Sequence, residues 1–313
     1  MESDLVADMR SGAKTPAEAV AAVEIGDTVW LKDVPLASVR AEVLDCGFES
    51  LNQRMVFKKK RGDLIVLGAY SGHGKSAMMM QIAQYVARKE GPVLVFSTEM
   101  GREDLLVRML AERTKQGCYA ISSGQVDAGV IQRSYAGLAN IPLAINVQDS
   151  GDISSIVRVA TAVNRRSPLS MIAIDYIQNV GGVDKSNRNN EVSGVSKELK
   201  MLAMRLQVPI LALAQLNRGA IQRGWAALNY GKEPNFIPTL YDLRDSGGVG
   251  QDADAVLFVS RFEEHMRGQR VGQADVVLEK CRNGMTGKFV FKWDGQSVRF
   301  SDPANRAQEI EGL

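Results

Sequence analysis

Between Gly62 and Ser76 the chain runs through an apolar segment, a turn containing Gly72 and Gly74, and then Lys75 and Ser76 side by side. That order suits a polyphosphate cradle. The two glycines let the backbone fold so that successive N–H groups face one anion, and a helix starting at Lys75 points its positive end at the same place. Lys75 then reaches the β- and γ-phosphates of ATP, while the Ser76 hydroxyl ligates the Mg2+ that travels with them. The cradle comprises Ser71, Gly72, His73, Gly74, Lys75, Ser76 and Ala77, with His73 at a position the pattern leaves free. One residue departs from the strict G-x-x-x-x-G-K-[ST] pattern: Ala69 stands where the first glycine belongs. A chance Gly-Lys-Ser in a surface turn is the competing explanation, and the buried-strand run Leu64 to Leu67 just before it argues for the cradle.

Three further polar residues close apolar runs, which puts them at the carboxyl edge of a parallel sheet, where open α/β folds bind ligands. Glu99 ends Phe96-Ser-Thr-Glu and is the candidate general base that positions a water in line with the γ-phosphate. The alternative is an acid at a helix N-terminus interacting with the dipole. Asp175 ends Met171-Ile-Ala-Ile-Asp about a hundred residues after the cradle, the place of the acid that completes the Mg2+ shell. Any strand can end in Asp, however. Gln215 ends Ile210 to Ala214, where a neutral amide can sense the γ-phosphate and relay its presence to the following loop.

Alternating strands and helices must carry these residues: an α/β fold with a mostly parallel sheet. The pattern predicts strands at Leu64–Leu67, Pro92–Phe96, Ile141–Val147, Ser170–Ile174, Val208–Ala214 and Ala255–Ser260. Helices are expected over Lys75–Arg88, Arg102–Arg113, Ser154–Arg165 and Glu191–Leu206. Strands at Val276–Glu279 and Lys288–Trp293, joined through Asn283-Gly284, suggest an antiparallel hairpin at the end. Ahead of the sheet, Thr15-Pro-Ala-Glu18 is a capping box for a helix over Ala17–Glu24, and Val34–Leu44 carries an apolar stripe behind Asp33. Lys58 to Arg61 reads as a solvated basic run.

Composition narrows the class. The 313 residues, 45% hydrophobic and 24% charged, suffice for one large core. No apolar run has membrane-helix length and the N-terminus lacks a signal-peptide pattern, so a cytoplasmic protein with no membrane partner is expected. Three cysteines without a C-x-x-C pair indicate neither a disulfide framework nor a zinc site. Two histidines argue against a histidine triad. The net charge of +2 divides into −3 over residues 1–40, −2 over 301–313 and +7 between, which fits a polyanionic partner.

Several stretches in their order resemble the motor domain of DnaB-type replicative helicases. They are Gly-Asp-Leu-Ile before the cradle, Phe-Ser-Thr-Glu-Met, Ile-Asp-Tyr-Ile-Gln, Ala-Gln-Leu-Asn-Arg, Leu-Arg-Asp-Ser-Gly-Gly-Val-Gly-Gln-Asp-Ala-Asp and Lys-Cys-Arg-Asn-Gly. The last two separate this family from other RecA-like ATPases, Ala69 is in keeping with it, and the likeness runs from about Cys46 to Trp293. The resemblance implies a RecA-like P-loop fold and a ring, usually a hexamer, holding ATP between neighbours. It implies an ATP-hydrolysing DNA helicase in replication that moves 5′ to 3′ on single-stranded and forked DNA, in a bacterial cell or a phage-infected host. Glu99 becomes the base, Asp175 the Mg2+ acid, Gln215 the γ-phosphate sensor, and Lys280 and Arg282 the residues entering the next subunit's site. Two charges on the solvent face of a hairpin are the plainer reading of that pair. Arg244, Asp245 and Gly247 become a loop on DNA phosphates. Lys185 and Arg188 lie in a polar loop that either faces the same channel or is simply surface. Arg223, Trp225, Tyr230 and Lys232 have a composition suited to base stacking, although a long surface insertion accounts for them as well.

Only some 45 residues precede the motor, in place of the family's helical N-terminal domain. Residues 1–45 are expected to form an arm with a linker helix, 46–300 the motor and 301–313 an acidic tail. A primase or loader partner is thereby put in question, and a compact form like this suits a phage genome. The rival readings are a RecA-like recombinase, a clock-type ATPase, or an ATP-gated scaffold or loader without motor activity.

Overall fold

A computed structural model of the chain describes residues 40–54, 56–147, 151–182, 188–229, 237–243, 248–261, 270–282 and 284–305. The chain divides into two compact units, 1–41 and 42–313, and the sheet with its helices belongs to the second. The helix expected over Ala17–Glu24, and residues 34–39 of the next, lie outside the described residues.

The strands are β1 (Leu64–Ala69), β2 (Val93–Ser97), β3 (Leu143–Val147), β4 (Gly151–Asp152), β5 (Met171–Asp175), β6 (Val180–Gly181), β7 (Ile210–Gln215), β8 (Ala255–Ser260), β9 (Gln273–Cys281), β10 (Gly287–Asp294) and β11 (Arg299–Ser301). Nine of them form one sheet in the order β11-β10-β9-β8-β1-β7-β5-β2-β3. From β8 to β3 the pairing is parallel, and β8 to β11 are antiparallel. The expected RecA-like architecture with a C-terminal hairpin is therefore present. β4 and β6 form a separate short pair.

β1 is buried at every position because helices cover both its faces. Ile65, Leu67 and Ala69 join one apolar cluster with Met78, Met79, Ile82 and Val86 of helix α2 (Lys75–Lys89). Leu64 and Val66 join the opposite cluster with Ile156 and Ala160 of α6 (Ile153–Arg166) and Val192, Val195, Leu199 and Leu202 of α7 (Arg188–Leu206). The spacing 192, 195, 199, 202 is one stripe of a helix, so period two on the strand meets period 3.6 on its cover. The remaining α-helices among the described residues are α1 (Glu49–Asn52), α3 (Arg102–Thr114), α4 (Cys118–Ser122), α5 (Ala128–Ala139), α8 (Gly219–Asn229) and α9 (Val249–Asp252).

Two expectations are corrected. Residues 42–44 are not helical: Leu44 N–H donates to the Phe57 carbonyl at 3.0 Å, Lys59 N–H to that of Glu42 at 2.9 Å, and Val43 bridges Lys58. Burial here alternates through Leu44, Cys46 and Phe48, a period of two that competes successfully with the helical stripe. Nor is Lys58 solvated. It is 4% exposed and pairs with Asp63 at 2.6 Å, as a buried ammonium must. At the far end β11 pairs with β10, and Asp302 accepts hydrogen bonds from Ser50 N–H at 2.7 Å and its hydroxyl at 2.9 Å.

Candidate active site

Glu99, Asp175 and Gln215 all stand at or just beyond the carboxyl ends of neighbouring strands β2, β5 and β7, with the loop after β1 beside them. Ala69 lies opposite Gln215, and Ser97 opposite Asp175, so one sheet edge collects the phosphate loop and all three candidates. Lys75, 9% exposed, holds its ammonium between Glu99 Oε2 at 3.1 Å and Asp175 Oδ1 at 3.2 Å. It also lies 4.5 Å from the centre of the Tyr176 ring. A lysine flanked by two carboxylates is held ready beside the place a triphosphate would take.

The loop has the backbone that cradle requires. Gly72 and Gly74 have φ of 81° and 93°, and a Cβ on Gly74 would come within 2.7 Å of the Phe300 ring. Ser71, Gly72, Gly74, Lys75, Ser76 and Ala77 line a cleft of about 620 Å³ together with Glu99 and Trp293. His73 is turned away from that work: it is buried and its Nδ1 accepts the Arg261 N–H at 2.8 Å. Arg261 in turn donates to the Gly72 carbonyl at 3.2 Å and lies over the Trp293 ring at 4.3 Å. β8, β10 and β11 thus clasp the loop from behind, a contact that only the folded topology reveals.

Asp175 is fully buried, and its Oδ2 has no hydrogen-bond partner among the described residues. A buried carboxylate oxygen so placed, together with the Ser76 hydroxyl at the start of α2, would suit a hard cation whose remaining ligands were phosphate and water. Thr98, next to Glu99, donates through both its N–H (2.8 Å) and its hydroxyl (2.9 Å) to the Asp175 carbonyl, which ties β2 to β5 beyond their ladder. Thr98 and Tyr176 lie inside the Phe-Ser-Thr-Glu-Met and Ile-Asp-Tyr-Ile-Gln stretches, but the sequence alone assigns neither a role.

Lys280 and Arg282 are elsewhere. Asp254 precedes β8 and accepts from Leu64 N–H at 2.8 Å, which places it level with the amino end of β1. Arg282 pairs with Asp254 Oδ1 at 3.1 Å and donates to the Gln251 carbonyl at 3.3 Å; Lys280 donates to the carbonyls of Gly250 and Gln251 at 2.8 and 3.2 Å. Both side chains therefore meet α9 at the edge opposite their own phosphate loop. Partial burial, and then the adjacent Arg282, lower the Lys280 ammonium below its usual range.

Arg188 opens α7; Lys185, Arg244, Asp245 and Gly247 lie outside the described residues. Within the stretch from Arg218 to Leu240, read from sequence as an insertion, α8 forms. Its Arg223 is held bidentate by Asp242 at 2.9 and 2.6 Å rather than presented to a ligand. Burial works to raise the Asp242 carboxyl, and Arg223 with Thr239 more than offsets it, so Asp242 titrates below the usual carboxylate range. No helix among the described residues is long and apolar enough to cross a membrane.

Comparison with known proteins gives the family and the fold. Residues 43–302 match the model of the DnaB-like helicase C terminal domain. Replicative DNA helicase DnaC of Bacillus subtilis (strain 168) is 35% identical over 250 residues, 77% of this chain and 52% of the relative. Replicative DNA helicase DnaB of Geobacillus stearothermophilus is 34% identical over 272 residues, covering 85% and 58%. The chain thus spans little more than half the length of these curated relatives. Among solved structures, a DnaB-like replicative helicase, studied with its primase interactions, shares the fold with a TM-score of 0.77 at 21% identity, covering 96% of this chain and 74% of that one. A second solved ATPase domain gives 0.76 at 23% identity, covering 83% and 91%. By the extent of the family match and the order of strands that carries its site, the chain belongs to the DnaB-like helicases, of which it holds the C-terminal domain.

Proposed function

We propose that this chain is the ATP-driven motor of a ring-shaped replicative DNA helicase that travels 5′ to 3′ on one strand and unwinds the duplex ahead. The observation that carries the reading is the division of the site across the sheet. Lys75, Glu99 and Asp175 stand at one edge, while Lys280 and Arg282 stand at the other, so on the reading that all five serve one site a neighbour supplies the second pair. A ring of copies, six by family habit, supplies one to each.

In this mechanism the loop from Ser71 to Ala77 binds the triphosphate of ATP through its N–H groups and Lys75. Ser76 and Asp175 would hold Mg2+, which when bound neutralises phosphate charge. Glu99 orients a water and takes its proton, Gln215 senses the γ-phosphate, and Lys280 with Arg282 of the adjacent copy offsets charge on the transferring group. Arg244, Asp245, Gly247, Lys185 and Arg188 are the proposed DNA contacts. A primase or loader remains a proposed partner.

Strand displacement on forked DNA tests the reading. Unwinding with ATP of a fork carrying a 5′ single-stranded tail, and not of one with only a 3′ tail, is the expected result; ATP hydrolysis without unwinding of either would favour the scaffold or clock-type alternative. For the DNA loop, Arg244→Ala is expected to weaken single-strand binding equally across sequences and to reduce the slope of log K against log salt by about 0.7, because a phosphate contact releases counterions and reads no base. An unchanged slope removes Arg244 from the phosphate contacts.

A further inference from the structure

Gln215 is the last residue of β7, and the strand on one side of it stops short. The β5–β7 ladder pairs Ile172 with Ile210, Ala173 with Leu211 and Ile174 with Ala212 and then ends. On the other side β1 continues until Ala69 lies opposite Gln215. The main chain at Gln215 therefore loses its β5 neighbour just where the site begins. The side chain of Gln178, only 4% exposed, fills the place: its Oε1 accepts the Gln215 N–H at 3.1 Å and its Nε2 donates to the Gln215 carbonyl at 3.2 Å. A primary amide offers one acceptor and a donor in the spacing of a peptide group, so it stands in for a residue of the missing strand.

We infer that Gln178 is a positioning residue: its amide fixes the end of β7, and with it Gln215, to the turn that follows Asp175. The inference rests on reading Gln215 as the γ-phosphate sensor. Gln178 belongs to the short helical turn Ile177–Asn179, which begins two residues past the proposed Mg2+ acid, so any shift of that turn is carried directly to the sensor. Thr98 makes the matching tie between β2 and the Asp175 carbonyl. Glu99, Asp175 and Gln215 are thereby linked by side-chain ties at the edge where their ladders end. Few other side chains serve at 178: Asn is one methylene shorter, Glu turns an acceptor toward a carbonyl, and Met has the length without the hydrogen bonds.

The test is steady-state ATPase of the full chain with Gln178→Met made in two backgrounds, Gln215 and Gln215→Ala. With Gln215 present, kcat is expected to fall about 10- to 100-fold, as a misplaced catalytic group allows, while KM for ATP stays within about 2-fold because the phosphate loop and Lys75 are untouched. With Gln215→Ala, the second substitution is expected to lower kcat by less than about 2-fold more, since nothing is left to position. An equal fall in both backgrounds, or a normal Gln178→Met enzyme beside an impaired Gln215→Ala one, overturns the inference and leaves the sensor reading standing. Full activity of Gln215→Ala alone overturns the sensor reading first. Should Gln178→Met fail to fold, Gln178→Glu keeps the acceptor for the Gln215 N–H: a kcat loss confined to the Gln215 background supports the inference, and wild-type kcat overturns it.

Discussion

Glu99→Gln is expected to bind ATP as the parent does and to turn it over about 10²- to 10⁴-fold more slowly, the usual contribution of a positioned general base. The two side chains differ by one group of nearly the same size, so the amide leaves the cleft's shape intact and removes the capacity to take a proton together with the charge that faces Lys75. Glu99 is half-exposed, so its substitution leaves the core alone. Lys75→Ala should behave differently. Lys75 is the cation between Glu99 and Asp175, and without it two carboxylates face the incoming triphosphate without the ammonium that stands between them. Nucleotide affinity is the quantity lost in that variant. Equilibrium binding of a fluorescent ATP analogue separates the two defects, and single-turnover hydrolysis then reads the chemical step. Normal turnover by Glu99→Gln would take that residue out of the mechanism.

Legibility in the sequence depends on where the information lies. Strands that are central in a parallel sheet are apolar almost throughout, so β1, β5, β7 and β8 announce themselves, and Asp175, Gln215 and Ser260, which end the last three, are visible as breaks in the run. α4 and α5 are absent from the expected helices, and both lie at the margin of the core: α4 buries no residue and α5 buries Leu138. β11, three residues long, has no pattern to find; Phe300 is its one core residue, and its meaning lies in packing at a tilt against Trp293 behind the phosphate loop. Residues 42–44 misled because a helical stripe and a strand alternation overlap there. Of the site, the chemical groups were readable and the ties between them were not. Thr98 to the Asp175 carbonyl, Gln178 to Gln215 and Arg261 to His73 each join segments far apart in sequence through common polar residues.

The place of Arg282 leads to the largest expected effect and to an experiment on mixtures. From Leu64, level with Asp254 and Arg282, to Ala69, where the phosphate loop departs, β1 climbs roughly 16 Å at the rise of a strand, and the side chain of Arg282 points to α9 at the lower edge. Its guanidinium is about half-exposed and anchored to Asp254, which keeps Lys200 at 2.6 Å and the Leu64 N–H as partners if Arg282 turns outward. An arginine so placed is free to serve a neighbour without leaving a buried charge unpaired behind it. Arg282→Ala should therefore reduce ATP turnover on the order of 10³- to 10⁵-fold, far beyond what loss of a surface ion pair would do. Mixing Arg282→Ala with Glu99→Gln subunits, each inactive alone, locates the action. In mixed rings some interfaces join an intact base to an intact arginine from the next copy, and ATPase activity should partly return, rising and falling with the mixing ratio. An arginine working within its own subunit predicts no return at any ratio, because each copy keeps its own defect. Silence from mixtures that native mass measurement shows to contain both subunits, or full activity of Arg282→Ala alone, would refute action in trans.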